Sequence, residues 1–482
     1  MKTLKTTKLN PKINLKINLS LLAAALLLAG CSTTKPPEHV DIQMPSQYRE
    51  SANLDGAWQL AKPADNVDRG RWWTVFNEPE LSDLIDSATD NSPNLAIALA
   101  RVKDARANAG VVDSARKFQL NGGFGPTRQR DNNTQLNTQW RAQVNASYEV
   151  DLIGRLSDQS RAARQDAEAQ EAAYRSVLLA LQADVAEQFY TIRALDSELD
   201  ILQKTIALRK DELRLVQHRY DAGDTSELDL AKARTELSLI QSEEESIRRN
   251  RAQQDHALAI LLGKAPADFT LPPASLHATI VTVPAGLPSD LLERRPDIAQ
   301  AQRQLAAASA RIGAAKAAFF PKLVLTGTAG YQSNQLEDLF KWSSRSWLLG
   351  PLVGTALTLP IFDGGLNKAN LARADANYEL QVANYRQQVL IGFQEVENNL
   401  SALNTLDKQI TFQNNAIDSA KIAERLANSR YKNGSASYFE VIDAQRTSLS
   451  VERSQLQVTG QRAVASVDLI RALGGGWKLA NQ

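Results

Sequence analysis

A chain of 482 residues with 55 Lys and Arg against 54 Asp and Glu can hold two or three ordinary domains or one long repeated one, and its near-zero charge balance leaves no polycationic signature for nucleic acid. A single cysteine, Cys31, excludes an intrachain disulfide, a CxxC redox pair and a zinc cluster, and the four scattered histidines (His39, His218, His256, His277) offer no metal-ligand spacing. With no P-loop and no nucleophile and base pair in the sequence, neither an enzyme activity nor a cofactor is expected.

Residues 1–30 carry Lys2, Lys5, Lys8, Lys12 and Lys16, then the apolar run LLAAALLLAG, then CSTT from Cys31. These are the charged, apolar and small-residue parts of an export signal. About ten apolar residues fall short of the roughly twenty that span a bilayer, so a transmembrane anchor is the poorer reading. Leu28-Ala29-Gly30-Cys31 resembles a bacterial lipobox, which implies cleavage before Cys31 and a covalent lipid on its sulfur. Loss of five lysines and no acid takes the formal charge from +1 to −4. Ser32 stands where an Asp would mark retention at the inner membrane, so the expected address is the outer membrane of a Gram-negative cell.

Further along, SPNLAIALARVKDARANAG follows a helix-starting Pro93. Two strands are expected next, about 117–128 and 138–151. Over Trp140–Asp151 the alternation is faultless, with Trp140, Ala142, Val144, Ala146, Tyr148 and Val150 on one face and Arg141, Gln143, Asn145, Ser147, Glu149 and Asp151 on the other. That pattern suits a tilted strand of a membrane barrel, apolar outside and wet inside. From Arg155 to Ala222 there are 68 residues without Gly or Pro, rich in Ala, Leu, Gln, Glu and Arg, which predicts one helix roughly 100 Å long. The stretch RYDAGDTSELDL ends it at Gly223 and starts a second helix capped by Ser226, so that helices fill 155–262.

The same order then recurs. RPDIAQAQRQLAAASARIG follows Pro296, FFPKLVLTGTAGY and GPLVGTALTLPIF provide strands at about 319–332 and 350–362, and helices fill 366–473 with only Gly392 interrupting the first. RYKNGSASYFEVIDAQ from Arg430 repeats the turn from Arg219 at an offset of 211 residues. Tyr220, Gly223 and Ser226 thereby match Tyr431, Gly434 and Ser437. The chain reads as a tandem duplication of about 200 residues. The polar stretches Arg130–Thr138 and Ser333–Ser346 are expected as loops at one end of the strands.

Four strands cannot close a barrel, and an open edge in lipid leaves backbone groups unpaired at several kcal/mol each. Membrane insertion of these strands therefore demands oligomerisation. From the helices alone, a pore-free periplasmic coiled-coil lipoprotein scaffold remains the competing reading.

The set WWTVFNEPELSDLIDSA (from Trp72), YEVDLIGR, LLERRPDIAQAQ (from Leu291), AAFFPKLVLTG, IFDGG, the two YxxG turns and RALGGGW resembles the TolC-like outer-membrane efflux proteins, in particular the OprM/NodT-like lipoprotein branch that serves RND-type pumps. The resemblance implies a mainly α fold with a membrane β-barrel: a homotrimer whose four strands per chain make a twelve-stranded barrel, continued by a long periplasmic helical barrel. It implies a signal peptide at 1–30, an N-terminal and equatorial-belt segment at 31–75, repeats at 76–265 and 289–473, an inter-repeat belt segment at 266–288 and a tail at 474–482. The implied function is a passive export duct in a tripartite efflux system, with a periplasmic adaptor and an inner-membrane RND pump as partners. The exit duct of a type I protein-secretion system is the alternative within the fold.

In such a duct the two turns would sit at the periplasmic mouth, with Tyr220, Gly223, Ser226, Tyr431, Gly434 and Ser437 meeting the adaptor. Asp229, Glu440 and Asp443 would form the gate, the last two at the family's acidic constriction, where one position is more usually Asp. Threefold symmetry would turn each acid into a ring that attracts cations. As plain early-helix acids they would serve the helix dipole instead.

Overall fold

A computed structural model describes residues 36–38, 48–50, 70–130, 136–277, 294–349 and 357–475. Cys31 and the export segment lie outside them, as do most of the 31–75 segment and residues 278–288 of the second belt segment. The chain divides into two compact units, residues 1–40, 104–168 and 302–383 in one and 41–103, 169–301 and 384–482 in the other.

Helices α1 (Pro79–Asn91), α2 (Pro93–Ser114), α3 (Arg155–Asp221) and α4 (Glu227–Leu261) belong to the first copy, and α5 (Pro296–Ala317), α6 (Leu366–Lys432) and α7 (Tyr438–Ala472) to the second. The counterparts have equal lengths: 22 residues in α2 and α5, 67 in α3 and α6, and 35 in α4 and α7. Prolines open α1, α2 and α5, where the missing N–H has no intrahelical partner to lose. Gly392, buried and in mid-helix, does not break α6.

The sheet lies in the first unit. Strands β1 (Gln119–Arg130), β2 (Leu136–Val150), β3 (Lys322–Ser333) and β4 (Arg345–Leu349) pair antiparallel in that order, and β5 (Leu357–Thr358) also pairs with β3. Its register places Leu120, Phe124, Trp140, Ala142, Val144, Tyr148, Leu325, Ala329, Tyr331, Trp347 and Leu349 on one face. The opposite face carries Asn121, Thr127, Arg141, Gln143, Asn145, Ser147, Glu149, Thr326, Thr328 and Gln332. One face is mainly apolar and the other mainly polar, with Val324 and Leu348 the large apolar residues of the second, as alternation requires when lipid meets only one side.

Of the strand expected at 350–362, β5 falls inside the range and pairs with β3, whereas β4 lies ahead of it. Strand β4 starts at Arg345, inside the stretch expected as a loop, and pairs through Leu349 with Gly327. Pro351 cannot donate to a ladder, and Arg345-Ser346-Trp347-Leu348-Leu349 ahead of it can. Residues 350–356 lie outside the described residues. The loop expected at Arg130–Thr138 is likewise shorter, since β2 begins at Leu136.

In the second unit Trp72, Trp73 and Phe76 pack with Leu81, Ile85, Phe189, Tyr190, Val467 and Ile470 in one apolar core. Trp72 also donates from Nε1 to Gln182 Oε1 at 3.1 Å, so the WW pair is packing with one polar tether. Two buried arginines anchor loops to helices. Arg193 holds Glu80 at 2.5 Å, Asp196 at 3.0 Å and the Pro272 carbonyl at 2.7 Å. Arg295, from the RRPD motif, donates to Asp297, to Glu395 at 2.6 Å and to the Ala472 carbonyl at 2.9 Å. Removing Arg193 would leave the buried Asp196 with Arg251 alone, whereas the carboxylates that Arg295 holds are only part-buried.

Candidate functional site

The two turns are built alike. At the end of α3, Asp224 N–H bonds the Arg219 carbonyl at 2.8 Å and Gly223 N–H the Tyr220 carbonyl at 2.9 Å. After α6, Ser435 N–H bonds the Arg430 carbonyl at 2.8 Å and Gly434 N–H the Tyr431 carbonyl at 3.0 Å. Both are Schellman caps, and Gly223 (φ +78°) and Gly434 (φ +70°) take the left-handed position that a Cβ would strain. Tyr220 is exposed, whereas Tyr431 is half-buried with its ring 5.5 Å from that of Tyr438.

The tips pack together. Val216 and Leu230 from the first copy meet Tyr438, Val441 and Ile442 from the second. Arg219 lies over the Tyr431 ring at 5.0 Å and Lys232 over Phe439 at 5.5 Å, tying the copies by cation–π contact. Deeper, Arg209 bonds Glu212 at 3.1 Å and also Gln445, while Arg446 grips Glu236 through both guanidinium ends. Burial pushes the Tyr438 hydroxyl well above its ordinary pKa, so it stays neutral. A groove of about 660 Å³ opens between α3 and α6 beside the tips, bordered by Leu208, Leu215, Val216, Lys421, Tyr431 and Tyr438.

The three acids differ in their duties. Asp229 and Glu440 are counterparts, each at the third residue of its helix. Asp229 N–H bonds Ser226 Oγ at 3.2 Å, and its carboxylate accepts from Thr225 at 3.0 Å and Ser226 at 3.1 Å. Glu440 N–H bonds Ser437 Oγ at 3.4 Å while Ser437 N–H donates back to Glu440 Oε1 at 3.3 Å, a complete capping box. Glu440 also pairs with Arg430 at 3.3 Å. Asp443 is exposed and takes no part in either cap; its first-copy counterpart is Lys232.

Sequence reasoning thus located the turns and the acids but missed Arg430, Tyr438 and the Arg209, Glu212 and Gln445 cluster. The repeated RY dipeptide at Arg219 and Arg430 was the available signal, since two equivalent arginines beside a turn invite different partners. Among the described residues no group of three or more His, Cys, Asp or Glu is placed to hold a metal ion. No helix among them is long and apolar enough to cross a membrane, which says nothing of the sheet.

The family model for "Outer membrane efflux protein" matches residues 84–264 and 287–475, one segment per copy. The chain belongs to the outer-membrane efflux protein family. It is 34% identical over 465 residues to the solvent efflux pump outer membrane protein SrpC of Pseudomonas putida, covering 95% of this chain and 98% of that one. It is 31% identical over 468 residues to the probable outer membrane lipoprotein SilC of Salmonella typhimurium, covering 96% and 99%. The open-state crystal structure of the MtrE outer membrane channel of Neisseria gonorrhoeae superposes with a TM-score of 0.81 at 30% identity, covering 93% of this chain and 100% of that one. As an outer-membrane efflux protein the chain has the TolC-like channel fold and acts in the outer membrane, with its helices in the periplasm. The pore-free scaffold is thereby set aside.

Proposed function

We propose that three copies close one twelve-stranded barrel and that the assembly is the passive exit duct of a tripartite efflux system. The observation that carries this is the sheet: β1 and β4 are its edges, and one face is apolar over a continuous band from Val150 to Trp140, with arginines only near and beyond its loop end. Edges of that kind are tolerable in lipid only when further strands pair with them. Cys31, in its lipobox setting, would carry the lipid anchor, in keeping with the lipoprotein name of SilC. Energy would come from an inner-membrane RND pump, and the chain itself would be no enzyme. The cargo class is drugs or other small toxic solutes, in line with the solvent named for SrpC.

At the periplasmic mouth the hairpin turns, with Tyr220, Gly223, Ser226, Tyr431, Gly434 and Ser437, would meet the adaptor, and the groove beside them is of a size for an adaptor side chain cluster. Asp229, Glu440 and Asp443 would form the gate, the last two at its acidic constriction. Opening would be a population shift in which adaptor binding favours splayed tips. Single-channel conductance of purified protein in a planar bilayer tests both parts. Wild type should give small cation-selective steps, and Glu440→Ala/Asp443→Ala larger, less selective ones. No conductance from either protein would overturn the duct, and steps that the double variant leaves unchanged would move the constriction elsewhere.

A further inference from the structure

Three arginines sit on the lipid face of the sheet at its loop end. Rows of directly paired residues define that face: Val150, Leu323 and Leu357 form the row nearest α3, and Tyr148 with Leu325 the next. Then follow Leu120, Ala146, Gly327 and Leu349; Gly122, Val144, Ala329 and Trp347; Phe124, Ala142, Tyr331 and Arg345; and Pro126, Trp140 and Ser333. Beyond these Arg128 pairs with Thr138 and Arg130 with Leu136. Every residue in these rows is apolar or uncharged except Arg128, Arg130 and Arg345.

The spacing places them at one interface. From Val150 to Trp140 is ten residues, about 33 Å along the strand at ~3.3 Å each, or about 25 Å in height at a tilt of about 40°. That equals the apolar band of an outer-membrane barrel, about 25 Å tall. Phe124, Trp140, Tyr331 and Trp347 lie at its upper margin as an aromatic girdle. Arg128 and Arg130 fall just past the margin and are exposed. Arg345, also exposed, lies one row inside it, but its Nε donates to the Trp342 carbonyl at 2.9 Å, so the head snorkels toward the loops. The nearby acids are on the loop, where Asp338 is paired with Lys341. Arg141, the other arginine at this end, is on the polar face and bonds Gln139.

Connectivity gives the side. Helices α2 and α3 join the sheet at the opposite end, so on the duct reading, on which this inference rests, the arginine end faces the cell exterior. We propose that Arg128, Arg130 and Arg345 bind the phosphates of lipid A in the outer leaflet, with its acyl chains against the apolar rows below. A planar guanidinium suits a phosphate bidentately, and an apolar wall under a cationic crown matches a phosphorylated, acylated disaccharide. Neither part would be needed if the surface met only zwitterionic headgroups.

The test is native mass spectrometry of the detergent-purified assembly titrated with bisphosphorylated lipid A, with enzymatically dephosphorylated lipid A, and with phosphatidylglycerol. Wild type should retain the bisphosphorylated form about tenfold more tightly than either other lipid. Arg128→Ala/Arg130→Ala/Arg345→Ala should lose that preference while still conducting in a planar bilayer, and the triple Arg→Lys variant should recover part of it. Equal retention of the three lipids by wild type overturns the proposal without any variant needing to fold. So does an alanine variant that conducts and binds as wild type does. Absence of conductance from wild type would instead sink the duct reading, a separate and visible failure.

Discussion

The two helical tips share a backbone and differ in their electrostatics. Both end in a Schellman glycine, both restart at a serine cap, and both place an acid three residues into the next helix. At the first tip that acid, Asp229, is satisfied by its own Thr225 and Ser226 hydroxyls, and the arginine of the RY pair turns away to the Tyr431 ring. At the second, Glu440 closes a capping box and holds Arg430, and Asp443 follows one turn later where the first tip has Lys232. Duplication preserved what the turn needs and freed the remaining positions to diverge. Of the three acids proposed for the gate, two have local structural work at their caps, and Asp443 does not.

The largest expected effect follows from that inequality. Asp443→Ala alone should account for most of the conductance increase of the double variant, several-fold over wild type with weaker cation selectivity, whereas Asp229→Ala should leave conductance within about twofold. Single-channel recording of the two single variants checks this. If Asp229→Ala opens the pore as far as Asp443→Ala, the distinction between capping acid and gating acid is wrong.

Most of this architecture is legible in the sequence because it rests on local, repetitive physics. The Gly- and Pro-free run from Arg155, and its counterpart from Leu366 with Gly392 alone inside it, predict the long helices to within a residue. The Trp140–Asp151 alternation predicts β2, and the 211-residue echo predicts a paired turn. What stays hidden depends on contacts between distant segments. Arg209 meeting Gln445, Arg446 meeting Glu236 and Arg295 meeting Glu395 each join residues far apart in the chain, and no periodicity announces them. The start of β4 at Arg345 is hidden for another reason, since Arg345 and Ser346 read as the end of a polar loop and the longer apolar run lies after Pro351.

A second difference between the copies lies higher on the helices. Glu187 shares Arg471 with Asp184, at 3.2 Å and 3.3 Å, and faces Asp468. Its counterpart in the second copy is the neutral Asn398. Burial first, then Asp468, pushes the Glu187 carboxyl up to about 8, and the one arginine cannot balance three acids. The folded protein thus binds a proton there that the unfolded chain releases above the ordinary carboxylate pKa. Stability from this site is full below that value and falls as pH rises toward about 8, levelling off beyond it. Glu187→Gln, which makes the first copy like the second, should flatten the decline of the melting temperature between pH 5 and 8. A wild-type melting temperature that rises across that window would contradict the assignment.

The smallest expected effect tests the tips again. Arg430 and Glu440 form an ion pair with side chains 60% and 46% exposed, so solvent screens it and its coupling should be only about 0.5 kcal/mol. A double-mutant cycle of Arg430→Ala and Glu440→Gln, read by thermal unfolding, measures that coupling without counting the cap, because Gln can keep the bond to the Ser437 N–H. The equivalent cycle at the first tip, Arg219→Ala with Asp229→Asn, should give about zero, since Arg219 is spent on the Tyr431 ring. Equal couplings at both tips would mean that the divergence of the two RY arginines has no energetic content. A coupling confined to the second tip, even a small one, would identify Arg430 as the residue that moderates Glu440 beside Asp443, and so as the first position to vary when tuning the gate.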